Sequence, residues 1–306
     1  MIVSKMFLYK SYSEDDLQKI IHHVFRNKEL SNTSKSQYSK KIPQWISYIN
    51  TPKNLNHLIN NPETSLEALE AANIKHSSSN HHIYISSVVA FIKYIVKNEI
   101  LLKKWKAIEK TNWKAIAEHY EENKPTELQK EKMMSLEEIH RIRQSLEPGS
   151  SERLLLSFYT LIEPIRADYF ATEIVINEQL EPTEDNYIIL ETSKLVVKDF
   201  KTKQKYEKIE NTLSTELSEE LKISLKKYPR KYLFVRDNKP YTRKLFSNWA
   251  CRTLSRILKQ PMTLTALRHI YITNKIQTKT STKELREIAT RMGHSRDIQR
   301  IYEWNI

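Results

Sequence analysis

The 306-residue chain contains two glycines, Gly149 and Gly293. A Walker-type phosphate loop, or the GxGxxG turn of a dinucleotide-binding unit, needs several glycines in one short stretch. Both are therefore excluded, which argues against nucleotide-driven chemistry. The scarcity also fits an AT-rich genome, since Lys, Ile and Asn are abundant. Cysteine is scarcer still. Cys251 stands alone, so a disulfide framework and any multi-cysteine zinc or iron–sulfur site are excluded, and a reducing compartment is expected.

A chain this long exceeds what one compact core usually takes, so two domains are expected. No apolar run approaches the roughly 18 to 20 residues of a membrane span. The opening MIVSKMFLYK is interrupted by Lys5 and Lys10 and does not read as a secretory signal. The expectation is an intracellular, non-secreted protein with no membrane partner.

Charge is unevenly placed. Residues 1–134 carry a net charge of +6, residues 135–221 carry −8, and residues 222–306 carry +15. A positive field of that size attracts a polyanion at long range. Tyr228, Tyr232, Tyr241 and Trp249 are interleaved with it, as on many nucleic-acid-binding surfaces. An ordinary solvated basic face explains the charge equally well.

The first 120 residues read as helices separated by polar breaks. Ser13 and the acidic run after it cap a helix through Ile21 and Phe25. Another helix spans Thr33 to Ile49, and a third carries Leu66 and Leu69. Segment 84–101 is apolar on most of its circumference and is expected to be one buried central helix. The polar stretch around Pro125 lacks apolar periodicity and reads as a linker. This gives a helical domain at 1–122, a linker at 123–134 and a second domain at 135–306. Ser135-Leu136-Glu137-Glu138 opens the second domain as a capping box, and an apolar helix follows at Leu154–Ile162. Strands are expected at 187–190, 195–200, near 206–210 and at 232–235, and helices at 214–227, 242–258, 264–276 and 283–292.

Four segments of the second domain carry the candidate chemistry. They are Glu163-Pro164-Ile165-Arg166-Ala167-Asp168-Tyr169, the basic turn Asp199-Phe200-Lys201-Thr202-Lys203, Leu264-Thr265-Ala266-Leu267-Arg268-His269, and Gly293-His294-Ser295 followed by Tyr302. Each also has a plainer reading. Arg166 could be a buried arginine paired with Asp168. Lys201 has lysines on either side. Arg268 could cap a helix, and Tyr302 could fill a core gap after a helix that Gly293 ends.

In this order and spacing the segments resemble the tyrosine recombinases, the phage-integrase-type family. That family has an early Arg, a hairpin Lys, an H-x-x-R-H box, and a GH(S) turn followed by the nucleophilic Tyr. The Arg-x-Asp-Tyr and Lys-Thr forms look most like the recombinases of large DNA viruses and their satellite elements. The resemblance covers 135–306, and the first domain matches the family's core-binding domain in length and class. It implies a mainly α fold with a small antiparallel β-sheet, made of a helical core-binding domain and a tyrosine-recombinase catalytic domain.

The implied function is site-specific recombination or integration of double-stranded DNA through a 3′-phosphotyrosyl intermediate, by a homo-oligomer (a tetramer) on DNA. Neither metal, ATP nor other cofactor is implied. The implied roles are Tyr302 as nucleophile, Arg166 and Arg268 as phosphate clamps, Lys201 as the acid on the leaving oxygen, and His294 on the phosphate or beside Tyr302. Where the family usually has His or Lys, Thr265 stands. Its hydroxyl can bond a phosphate oxygen but carries no charge, and His269 either supports the helix or compensates. A type IB topoisomerase, using the same roles, and a DNA-binding relative without catalysis are the alternatives.

Overall fold

The computed structural model describes residues 8–50, 52–72, 78–121, 124–125, 130 and 133–304. The chain divides into two compact units, Met1–Tyr120 and Glu121–Ile306. Most of the linker expected at 123–134 lies outside the described residues. Among the described residues no helix is long and apolar enough to cross a membrane.

The first unit is helical: α1 (Glu14–Phe25), α2 (Asn32–Tyr48), α3 (Leu55–Asn60), α4 (Pro62–Ala72), α5 (Ser78–Phe91) and α6 (Glu99–Glu121). The Ser13 side chain accepts from the Asp16 amide, capping α1 as its sequence suggests. The core is centred on Trp45 and Trp105, whose rings meet edge to face at 5.6 Å. Both indole N–H groups are satisfied, by the Ser65 carbonyl at 2.7 Å and the Ile59 carbonyl at 2.8 Å. That pairing lets large aromatics be buried without an orphaned donor.

The single helix expected over 84–101 is instead two. α5 runs into a π turn at Ile92–Val96, and Lys97 adopts the left-handed conformation at φ 56°. Asn98 then accepts from the Leu101 amide through its side chain and starts α6. The apolar run is continuous, but Asn98 offers the backbone a competing cap that restarts the helix.

In the second unit, α7 (Leu136–Ser145) and α8 (Ser151–Thr160) are followed by β1 (Glu173–Val175), β2 (Asn186–Ile189) and β3 (Lys194–Val197). A helical turn α9 (Lys203–Tyr206), β4 (Ile209–Thr212) and α10 (Thr215–Lys227) come next. The two-residue strands β5 (Val235–Arg236) and β6 (Lys239–Pro240) lead to α11 (Arg243–Ile257), α12 (Leu264–Gln277), α13 (Thr282–Arg291) and α14 (Arg296–Arg300). The fold is thus mainly α with a small sheet. β2, β3 and β4 are antiparallel, with Val197 opposite Ile209 and Asn186 opposite Val197. β1 adds in parallel beside β2.

The strand expected at 232–235 is shorter. Tyr232 makes a single bridge to Glu173, and Val235 turns into the β5–β6 hairpin. The strand expected near 206–210 begins at Ile209, because the residues before it form α9.

The buried helix α8 organises this unit. It packs against α7, α10, α11 and α12, and every residue from Leu154 to Thr160 is buried. Two tyrosines tie the loop beyond α8 back to that core. Tyr159 donates to the Arg166 carbonyl at 2.6 Å, and Tyr169 donates to the Phe158 carbonyl at 3.2 Å.

Candidate active site

Arg166 is held by this loop, and its Nη2 lies 3.4 Å from the Tyr302 hydroxyl. Asp168 is not its partner. The Asp168 carboxylate, itself buried, pairs with Arg243 at the start of α11. Arg243 also donates to the Asp199 carbonyl at 3.0 Å and stacks over Phe170. Arg166 therefore keeps its charge uncommitted to that carboxylate.

Arg268 lies in the second turn of α12, which Thr263 caps through the Ala266 amide. It is 1 % exposed. One guanidinium nitrogen donates to the Pro164 carbonyl at 2.6 Å, another to His294 Nδ1 at 3.0 Å, and Nε has no partner. The guanidinium carbon is 4.8 Å from the centroid of the Tyr302 ring. Burial pushes this guanidinium down to about 10, so it is still charged at neutral pH.

Gly293 places His294. Ser281 caps α13, and the helix ends where Gly293 takes φ 71°, the left-handed stop that glycine suits. A Cβ there would lie 2.8 Å from Ile209 Cδ1 and 3.4 Å from the Phe200 ring. The β3–β4 loop thus packs directly on this turn, and Thr202 Oγ1 donates to the Gly293 carbonyl at 2.8 Å.

His294 accepts from Arg268 at Nδ1, so its proton resides on Nε2. That Nε2 is buried without a partner. Its ring stacks on Tyr302 at 5.5 Å and 15°. Burial, reinforced by Arg268 and Arg166, pushes the imidazole down to about 3, which keeps it neutral.

Tyr302 follows α14 and is partly buried. Burial raises its phenol, but Arg268 and Arg166 outweigh this and hold it below its ordinary value.

Of the residues singled out in the sequence, Arg166, Arg268, His294 and Tyr302 come together here. Lys201 and Thr265 do not join them by any hydrogen bond. Lys201 is exposed on the β3–β4 loop, next to the Thr202 that anchors the loop to Gly293. Thr265 is exposed in the first turn of α12. His269 is instead engaged with the backbone, its Nδ1 3.1 Å from the Tyr302 carbonyl.

Asn186 and Arg243 have no signal in the sequence. Asn186 donates to the Asp168 and Asp199 carbonyls at 2.9 and 3.3 Å and accepts from the Lys198 and Asp199 amides. With Arg243 it joins the Arg166 loop to the Lys201 loop.

No protein-family model matches the chain, and no curated protein does. Solved structures do match it. The Tn1549 transposon integrase (residues 82–397), solved in complex with circular intermediate DNA, aligns over 97% of this chain and 96% of its own, with a TM-score of 0.54 and 11% identity. The chain shares that integrase's fold. Two others match with lower TM-scores. The XerA recombinase covers 94% of this chain and 93% of its own at 15% identity, TM-score 0.42. The integrase of mycobacterium phage Brujita covers 94% and 90% at 10% identity, TM-score 0.35.

Proposed function

We propose that this chain is a site-specific DNA recombinase or integrase of the tyrosine recombinase family, from a virus or other mobile element. It acts on double-stranded DNA as a homo-oligomer inside the cell that holds the DNA. The carrying observation is a pair of buried, unpartnered donors, Arg268 Nε and His294 Nε2, on groups packed against Tyr302. Buried donors without partners are costly, and in this reading the bound phosphate accepts from both. The integrase of like fold was solved with DNA, and the net charge of +15 over 222–306 suits the same ligand.

In this reading the Tyr302 oxygen attacks the scissile phosphorus, and its proton passes to solvent. The P–O5′ bond breaks as the tyrosyl–phosphorus bond forms, leaving a 3′-phosphotyrosyl link and a free 5′-hydroxyl. The leaving oxygen takes its proton from Lys201, whose loop docks on the Gly293 turn. Arg166, Arg268 and His294 bind the non-bridging oxygens as negative charge grows there. The bond energy is stored in the tyrosyl ester, so a second 5′-hydroxyl reseals the DNA without ATP. The guanidinium pair supplies the positive charge, so the scheme has no metal-dependent step.

The test is covalent trapping on nicked duplexes, either ends of the element or a random pool, in EDTA and without nucleotide. A DNA-linked protein band that disappears in Tyr302→Phe is expected. A Tyr302→Phe band equal to wild type, or none on DNA that the protein binds, overturns the reading.

A further inference from the structure

The catalytic scheme leaves His269 unused, although it lies beside Arg268 and has a defined set of contacts. Its Nδ1 is 3.1 Å from the Tyr302 carbonyl, and a carbonyl only accepts, so Nδ1 carries the proton. Its ring stacks on Trp304 with centroids 4.4 Å apart and planes 7° from parallel. It also lies 4.9 Å from the Tyr302 ring. Four residues along the same helix, Thr273 Oγ1 accepts from the Trp304 amide at 3.0 Å. Residues four apart share a helix face, so α12 grips the backbone of the tyrosine segment at two points one turn apart.

The same helix presents Arg268 to the Tyr302 ring. One rigid element thus fixes both the charge and the backbone that carries the phenol. On the N-terminal side Tyr302 follows α14, a helix of five residues, whose Gln299 carbonyl accepts from the Tyr302 amide at 2.8 Å. Arg296, on α14, pairs with Glu303 and closes the segment on itself.

We propose that His269, with Trp304 and Thr273, is a positioning residue that seats the Tyr302 backbone so that its hydroxyl lies in line with the scissile phosphorus. The inference rests on the recombinase reading. It assigns His269 a role other than substituting for the charge missing at Thr265. Two facts favour positioning. Nδ1 is committed to a carbonyl, and burial pushes the imidazole down to about 4, so it is not a proton donor at neutral pH. A misplaced nucleophile loses rate steeply, because near-attack geometry is worth orders of magnitude.

The experiment starts with the wild-type chain on pooled random duplexes, and the trapped junctions are sequenced. Failure to trap any DNA at this step removes the recombinase reading itself, whatever His269 does. With a trapped sequence in hand, single-turnover covalent-complex formation is measured at saturating DNA for His269→Phe, His269→Asn and Thr273→Val, alongside each variant's DNA Kd and melting temperature. Phe keeps a ring on Trp304 but loses the Nδ1 donor, whereas Asn restores a donor at that place.

His269→Phe is expected to slow the step about tenfold or more with Kd within about twofold, and Asn to recover most of the loss. Each rate is then repeated with sulfur replacing the bridging 5′-oxygen, a leaving group that needs no acid. Lys201→Ala is expected to be rescued by sulfur, and His269→Phe is not. A wild-type rate in His269→Phe, or its rescue by sulfur, overturns the proposal. Should the Phe variant fail to fold, Thr273→Val decides. Slowing of at least about threefold at unchanged Kd supports the grip, and a wild-type rate overturns it.

Discussion

The Arg268 guanidinium packs on the face of the Tyr302 ring, 4.8 Å from its centroid, while Arg166 approaches the hydroxyl from the loop beyond α8. The phenol thus lies between two permanent positive charges in a partly buried site, and its pKa falls despite burial. Arg268→Ala removes one of these charges and, in the proposed reaction, a donor to the phosphate. Its rate of covalent-complex formation is expected to fall by about 100- to 1000-fold, as when an oxyanion-stabilising donor is deleted. The rising limb of its pH–rate profile should move to higher pH, because the phenol regains a more ordinary affinity for its proton. A limb that stays in place would mean that the tyrosine is not the titrating group.

Asp168 and Arg243 pair across 75 residues of sequence and join the two loops that carry Arg166 and Lys201. Asp168 is almost fully buried, whereas Arg243 is half-buried. Arg243→Ala leaves a buried carboxylate unpaired, at a cost of about 3 kcal/mol. Asp168→Asn removes the charge together with the bond and should cost less. Urea unfolding of both variants checks the order. An Arg243→Ala variant as stable as Asp168→Asn would show that water reaches the carboxylate.

The motifs that pointed to the site are local. Gly293 stops a helix, and the four chemical segments keep their order along the chain, so each is readable without knowing its neighbours. The Asn186–Asp168–Arg243 junction is not local, since its members come from a strand, a loop and a helix start. Asp168 does not pair with its near neighbour Arg166, because Arg243 reaches it from elsewhere in the chain.

Segment 84–101 misled in another way. Apolar periodicity shows that residues are buried but not that the helix is continuous, and a left-handed lysine is unmarked in the sequence where a glycine would have been a signal. β1, three residues long, is too short for any alternation to be seen. Thr265 illustrates the converse. Its place in the motif was readable, but its exposure depends on how the first turn of α12 faces solvent.

Gly293 is required for two reasons, its positive φ and the room its missing Cβ leaves for Ile209. Gly293→Ala is expected to destabilise by about 1 kcal/mol or more through backbone strain, and to lower activity further by displacing His294. Adding Ile209→Val removes the Cδ1 atom that the new Cβ would meet at 2.8 Å. The double variant should recover part of the activity and little of the backbone cost. Recovery of both in full would assign the whole effect to the clash.

Buried neutral histidines give the fold a dependence on pH of known sign. Burial lowers His294 to about 3 and His269 to about 4, and it lowers His140 as well. In the unfolded chain each imidazole takes up a proton near 6.5. Below that pH the unfolded state binds protons that the folded state refuses, so stability falls. The contribution is complete above pH 6.5 and is lost as pH drops towards 4 for His269 and 3 for His294. The melting temperature is therefore expected to decline between pH 6.5 and 5, before most carboxylates titrate. His269→Phe deletes one of these groups and should flatten the decline by the share of one proton, as read by calorimetry across that range. An unchanged slope would mean that the His269 imidazole takes up its proton in the folded chain as easily as in the unfolded one.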